Sequence, residues 1–226
     1  MLSTAIGKNV RMTADAQLVA AWNQLTARLA ASTGQSLRNA ALDRLLAAYR
    51  EPHRAYHTVE HIAALLALFA RHGGSAHDPD AVRLAILYHD VVYDPRRADN
   101  EAVSAELAQR DLTALGIGPT LIQRVAQLVL ATQHGVHPPD AADTDLALLV
   151  DLDLSVLAAA PGAYDAYAAA IRREYAHVPS LLYRPGRRRV LQKFLDAGQL
   201  YLTPSLRAAW EAPARANLAR ETASLA

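Results

Sequence analysis

The chain has no cysteine among its 226 residues, which excludes disulfides, thiolate zinc sites, iron–sulfur clusters and a cysteine nucleophile. It also has almost no surplus charge. Against 23 Lys and Arg stand 22 Asp and Glu, so no overall field draws nucleic acid or an anionic membrane to it, and an anionic ligand needs a local site. No apolar run reaches the roughly eighteen residues of a membrane span, and Lys8 and Arg11 break up the first segment before it has the apolar core of a signal peptide. A cytoplasmic location is the expectation. With 52% hydrophobic residues, the composition is that of a packed interior and excludes disorder.

Alternating strand-like stretches are missing too. Apolar positions recur at three and four residues almost throughout, which predicts an all-α fold. The periodicity places helices over 14–31, 36–49, 57–72, 80–93, 99–115, 119–133, 143–159, 162–175, 186–197 and 204–223, with Gly34, Pro52, Pro95, Pro161 and the pair Pro185 and Gly186 among the breakers. None of the breaks is long enough for a linker. A single helical-bundle domain over 1–226 is the expectation, with N-terminal helices in 1–48 and a core with C-terminal helices in 49–220. Trp22, Trp210, Leu25 and Leu29 read as core.

With thiolates absent, nine histidines leave imidazole and carboxylate as the metal-ligand set. His57 and His61 stand four apart, a spacing that stacks two imidazoles on one helix face; His61 shares its stripe with Leu65, Leu68 and Phe69. His89 and Asp90 end the apolar segment from Leu84, and an unpaired buried Asp is costly, a cost that a cation removes and a His to Asp hydrogen bond also answers. In the segment 146–157 two carboxylates interrupt an apolar helix. Asp153 falls with Leu146, Leu149, Val150, Val156 and Leu157, whereas Asp151 falls with Ala147, Leu148, Leu154 and Ser155. The stripe argument therefore selects Asp153 as the buried carboxylate and leaves Asp151 as a supporting group or cap.

Other polar residues admit two readings. Glu101 is a first-turn acid behind the cap residue Asp99, or a catalytic group. His134 is a helix C-cap, or a second-metal or proton-relay group, with Thr132 beside it. Arg172 pairs across one helical turn with a neighbour, or holds a substrate phosphate. Arg184, Arg187, Arg188 and Arg189 form a solvated helix start, or a phosphate clamp.

A histidine, then His-Asp about thirty residues on, then a distant Asp, all on helices, resembles the HD superfamily of metal-dependent phosphohydrolases. More closely, the stretch from Tyr49 to Leu218 resembles a bacterial family of predicted HD phosphohydrolases, through Glu51-Pro52-His53-Arg54-Ala55-Tyr56-His57, His89-Asp90-Val91-Val92-Tyr93-Asp94, Asp99-Asn100-Glu101, Asp151-Leu152-Asp153-Leu154 and Ile171-Arg172-Arg173-Glu174-Tyr175. The Tyr-His-x-x-x-His-Ile segment is also similar to that of the cyclic nucleotide phosphodiesterases, without their downstream glutamine or second-metal histidines. The His-His-Glu and Gly-Tyr-Pro signature of the cyclic-dinucleotide branch is absent.

The resemblance implies His61, His89, Asp90 and Asp153 as ligands of a divalent ion (Mn, Fe, Co, Mg, Ni or Zn), with His57 as proton donor. It implies hydrolysis of a phosphomonoester or phosphodiester, nucleotide-like in class, by metal-bound hydroxide. Glu101 and His134 are the further catalytic candidates, and Arg172 and Arg187 the candidates for holding a small-molecule phosphate ester. Neither a nucleic-acid nor a membrane partner is expected. The rival expectation is a metal-stabilised helical binding or regulatory module without turnover; an oxygen-using di-iron enzyme of the same superfamily needs more ligands than the motifs place.

Overall fold

The helices follow from caps and stripes that can be read residue by residue. The computed structural model describes residues 12–133 and 142–225, and these form ten α-helices with no strand among the described residues. They are α1 (Ala14–Leu29), α2 (Gln35–Tyr49), α3 (Val59–His72), α4 (Pro79–Tyr88), α5 (Asn100–Ala114), α6 (Pro119–Ala131), α7 (Thr144–Asp153), α8 (Pro161–Glu174), α9 (Ser180–Asp196) and α10 (Pro204–Ser224). In α1 the hydroxyl of Thr13 accepts the N–H of Ala16, and Leu18, Trp22 and Leu25 bury one stripe.

Helix α4 opens with Pro79 behind the cap Asp78, where the missing proline N–H costs nothing. From Ala81 to Tyr88 only Arg83 escapes burial, the mark of a helix enclosed on all sides. It packs against α1, α3, α5, α6 and α7. α7 is enclosed in the same way from Ala147 to Leu152. One apolar core is drawn from α1 to α7; a second joins the end of α7, the 3₁₀ turn Leu154–Ala158 and helices α8 to α10. Trp22 and Leu25 are buried in the first core, while Leu29 and Trp210 are half-buried against it. Among the described residues, no single helix is long and apolar enough to cross a membrane.

Among the boundaries that differ from the periodicity, which include the end of α7 at Asp153 where the chain tightens into the 3₁₀ turn Leu154–Ala158, three have a local reason. α3 begins at Val59, so His57 precedes the helix, because the N–H groups of Ala55, Tyr56 and His57 are all taken by the Glu174 carboxylate. α4 ends at Tyr88 instead of 93, because the carbonyls of Asp90 and Val91 accept from the Arg54 guanidinium and leave the helical ladder. α9 starts at Ser180 and runs through Pro185. The carbonyl that the proline leaves without a donor belongs to Leu181, which is exposed, so water can satisfy it.

Candidate metal centre

The N-terminal turn of α3 meets the C-terminal ends of α4 and α7, and this is where the four polar residues converge. His61 comes from the first turn of α3, His89 and Asp90 follow the last residue of α4, and Asp153 is the last residue of α7. One donor atom from each lies within 4.8 Å of all the others. The Nε2 atoms of His61 and His89 are 3.3 Å apart. Asp153 Oδ1 stands 3.2 Å from His61 Nε2 and 3.5 Å from His89 Nε2, and Asp90 Oδ2 stands 3.6 Å and 3.0 Å from the same two atoms.

These separations fit the edges of a donor shell about 2.1 Å from a central cation, for which neighbouring donors lie about 3.0 to 3.4 Å apart. The donor chemistry fits as well. His89 Nδ1–H donates to the Ile86 carbonyl at 3.0 Å, which fixes the tautomer and turns the Nε2 lone pair into the cluster. His61 and His89 are buried and the two carboxylates half-buried. Burial pulls the His89 pKa down, yet Asp90 and Asp153 outweigh it and hold it well above the usual imidazole range. Burial likewise works against ionised Asp90, but His89 and His57 hold its carboxyl below the usual carboxylate range. The cluster concentrates negative charge that demands a positive partner, and a divalent ion satisfies that demand for two carboxylates at once.

Arg54 sets the turn that presents this pair. Its side chain is buried and donates to the carbonyls of His57, Asp90 and Val91 at 3.1, 2.7 and 3.0 Å, with Glu51 as its charge partner at 3.0 Å. The segment before α3 is thereby stapled to the turn after α4. Asp151 points elsewhere. The burial expected of Asp153 falls to Asp151 instead: Asp151 is fully buried and Asp153 half-buried, because Asp151 accepts the N–H groups of Leu202 and Thr203 at 2.7 and 2.6 Å just before α10 while Asp153 faces the cavity.

His57 faces the cluster from the loop, its ring centroid 6.0 Å from that of His61. Its Nδ1 is 2.8 Å from Glu174 Oε2. The buried Glu174 carboxylate also accepts the Tyr93 hydroxyl at 2.8 Å and the three loop N–H groups at 2.7 to 3.1 Å. Burial raises the Glu174 pKa, but His57 and the backbone donors overcome it and bring it down to about 2. His57 is driven the other way. Burial lowers its pKa, while Asp90 and the Glu174 hydrogen bond leave it above the ordinary value.

A cavity of about 650 Å³ opens on Asp90, Asp153 and His57. Glu101 reaches it from the first turn of α5, and Thr132 from the end of α6; His134 lies outside the described residues. Arg187 lines the cavity but is engaged by Glu221 through two bonds of 2.8 and 3.0 Å. Arg172 is not on the cavity wall. Its guanidinium closes the C-terminal end of α8, donating to the carbonyls of Tyr175 and Val178, and stacks on Tyr183. Arg188 and Arg189 are exposed on α9.

In the sequence Glu174, Tyr93 and Arg54 stand only as parts of motifs. A signal for Glu174 was available: it continues the stripe Tyr164, Tyr167, Ile171 at spacings of three and four, so a carboxylate there is carried inward with the rings. Comparison with protein-family models, with curated proteins and with solved structures finds no match.

Proposed function

We propose that the chain is a metal-dependent phosphohydrolase of the HD type, acting on a phosphomonoester or phosphodiester. The observation that supports this most is the meeting, in one cavity, of a four-donor His/Asp cluster and an imidazole whose second nitrogen is held by a buried carboxylate. His61, His89, Asp90 and Asp153 would hold a divalent ion, which when bound acidifies water and polarises a phosphoryl oxygen. A set of four protein ligands would leave room on such an ion for substrate and water.

The remaining chemistry belongs to the chain's own residues. His57 donates Nδ1–H to ionised Glu174, so its second proton sits on Nε2, the nitrogen that Glu174 does not engage. From there it protonates the ester oxygen of the leaving group. The Tyr93 ring lies 4.0 Å from the His57 ring, and the Tyr56 ring meets it edge-on at 5.0 Å. The imidazole is therefore fixed in orientation, as general-acid catalysis requires. A binding module without turnover would use the cluster and the loop bonds of Glu174, but has no need of an imidazole facing the cavity.

The test is a panel of phosphomonoesters, phosphodiesters and nucleotides offered to the purified protein with Mn²⁺, Co²⁺, Mg²⁺ or Ni²⁺. Metal-dependent release of alcohol or phosphate from at least one ester class is expected. No turnover with any metal would overturn the hydrolase reading in favour of the binding module.

A further inference from the structure

The cavity beside the cluster has an unusual balance of charge and ring surface. Beyond the catalytic groups, its walls come mainly from the α7 to α9 region, with Leu157, Tyr167, Tyr175, Tyr183, Val190 and Phe194 as the principal apolar and aromatic surfaces. The lip is apolar as well: Leu182 and Val190 line the cavity and are still 66% and 46% exposed, whereas large aliphatic side chains left open to water beside a cleft mark a surface that a ligand covers.

Its cationic capacity is small. Only two arginines and no lysine line the cavity among the described residues. Arg187 is held by Glu221 in a two-pronged, largely buried pair and lies over the Tyr167 ring. Arg97 is held in the same two-pronged way by Asp99 at the exposed rim. The lining also carries the carboxylate of Glu101. An ion at the cluster would be held by Asp90 and Asp153 and would leave room beside it for one phosphate. Further into the cavity than the rim residue Arg97, a second anionic group would meet, among the described residues, rings, aliphatic chains, the neutral side chains of Asn100, Thr132 and Gln133, and Glu101, with Arg187 already held by Glu221.

We propose that the ligand of this cavity carries a single anionic phosphate on an apolar, ring-bearing body, with the phosphate at the cluster and the body on the Tyr183 and Val190 wall. That this ligand is a substrate rests on the hydrolase reading, whereas its binding can be measured without turnover.

The experiment uses calorimetry on the Mn²⁺-loaded full chain with three non-hydrolysable probes: methylphosphonate, 1-naphthylmethylphosphonate, and the latter bearing a sulfonate on its far ring. The naphthyl probe is expected to bind at least about tenfold more tightly than methylphosphonate, in line with the worth of ring stacking on aromatic side chains. The added sulfonate should remove most of that gain. Tyr183→Ala should erase the naphthyl advantage while leaving methylphosphonate affinity unchanged. Val190→Glu, at a position open enough to accept a charge without loss of fold, should do the same.

Equal affinities for the three probes, or an advantage untouched by both variants, would overturn the inference even if esters are hydrolysed. Conversely, the predicted ranking with no turnover of 1-naphthyl phosphate or any other ester would support the inference and overturn the hydrolase reading.

Discussion

Glu174 Oε2 holds His57 Nδ1 at 2.8 Å across 117 positions of sequence, and this bond orients the ring of a loop histidine beside the cluster, where the proposed function makes it the acid. His57→Ala should keep its metal and its fold but lose about 10² to 10⁴-fold in kcat on an alkyl phosphate or nucleotide ester. On p-nitrophenyl phosphate, whose phenolate leaves without a proton, the loss should be far smaller. Glu174→Gln should cost about 10 to 100-fold on the same poor leaving groups. It also removes one cause of the raised His57 pKa, so the alkaline limb of the rate profile should move to lower pH. Equal losses on both substrate classes, or an unmoved limb, would assign His57 a purely structural role.

The same carboxylate makes a prediction for stability. The folded-state pKa of Glu174 is about 2 against an ordinary 4.5, so the group is more acidic in the folded chain than in the unfolded one. Its contribution is complete above about pH 4.5 and is lost as pH falls toward 2, and it amounts to something on the order of 3 kcal/mol. Urea unfolding of the native chain and of Glu174→Gln at pH 7 and pH 3 measures it. The difference between the two proteins should shrink at the lower pH; a difference that stays constant would mean that the carboxylate's charge contributes nothing.

Asp151 and Asp153 sit two residues apart and serve different ends of the molecule. Asp153→Ala should abolish stoichiometric metal binding with a modest effect on folding. Asp151→Ala leaves two N–H groups at the start of α10 without their acceptor and should cost about 1 to 3 kcal/mol, while metal stoichiometry stays intact. Metal analysis and thermal unfolding of the two variants check this directly, and the reverse assignment would show that the stripe separating them was misread.

Much of this arrangement is legible in the residues alone. The helices follow from spacing, and His61, His89 and Asp153 stand out because each interrupts an apolar stripe. What local pattern could not supply were the long-range partners. Arg54 looks like an ordinary loop residue until its guanidinium is seen to take two carbonyls from the turn after α4, which is why that helix stops at Tyr88 and not at 93. Glu174 likewise gains its meaning only when α8 folds back over the loop before α3. Pro185 reads as a break and is not one, because tolerance of a proline depends on whether water can reach the carbonyl it strands. Arg172 shows the converse: a guanidinium near the site in sequence is committed to its own helix end.

The central claim is that four side chains from three helix ends hold one divalent ion, and metal content tests it most directly. The native chain, stripped with a chelator, reloaded with Mn²⁺ or Co²⁺ and freed of excess, should retain about one ion per chain by elemental analysis. The His89→Ala, Asp90→Ala double variant should retain almost none while its far-ultraviolet helical signal persists. Stoichiometric metal in the folded double variant would contradict the account, because the ion would then be held somewhere other than this cluster.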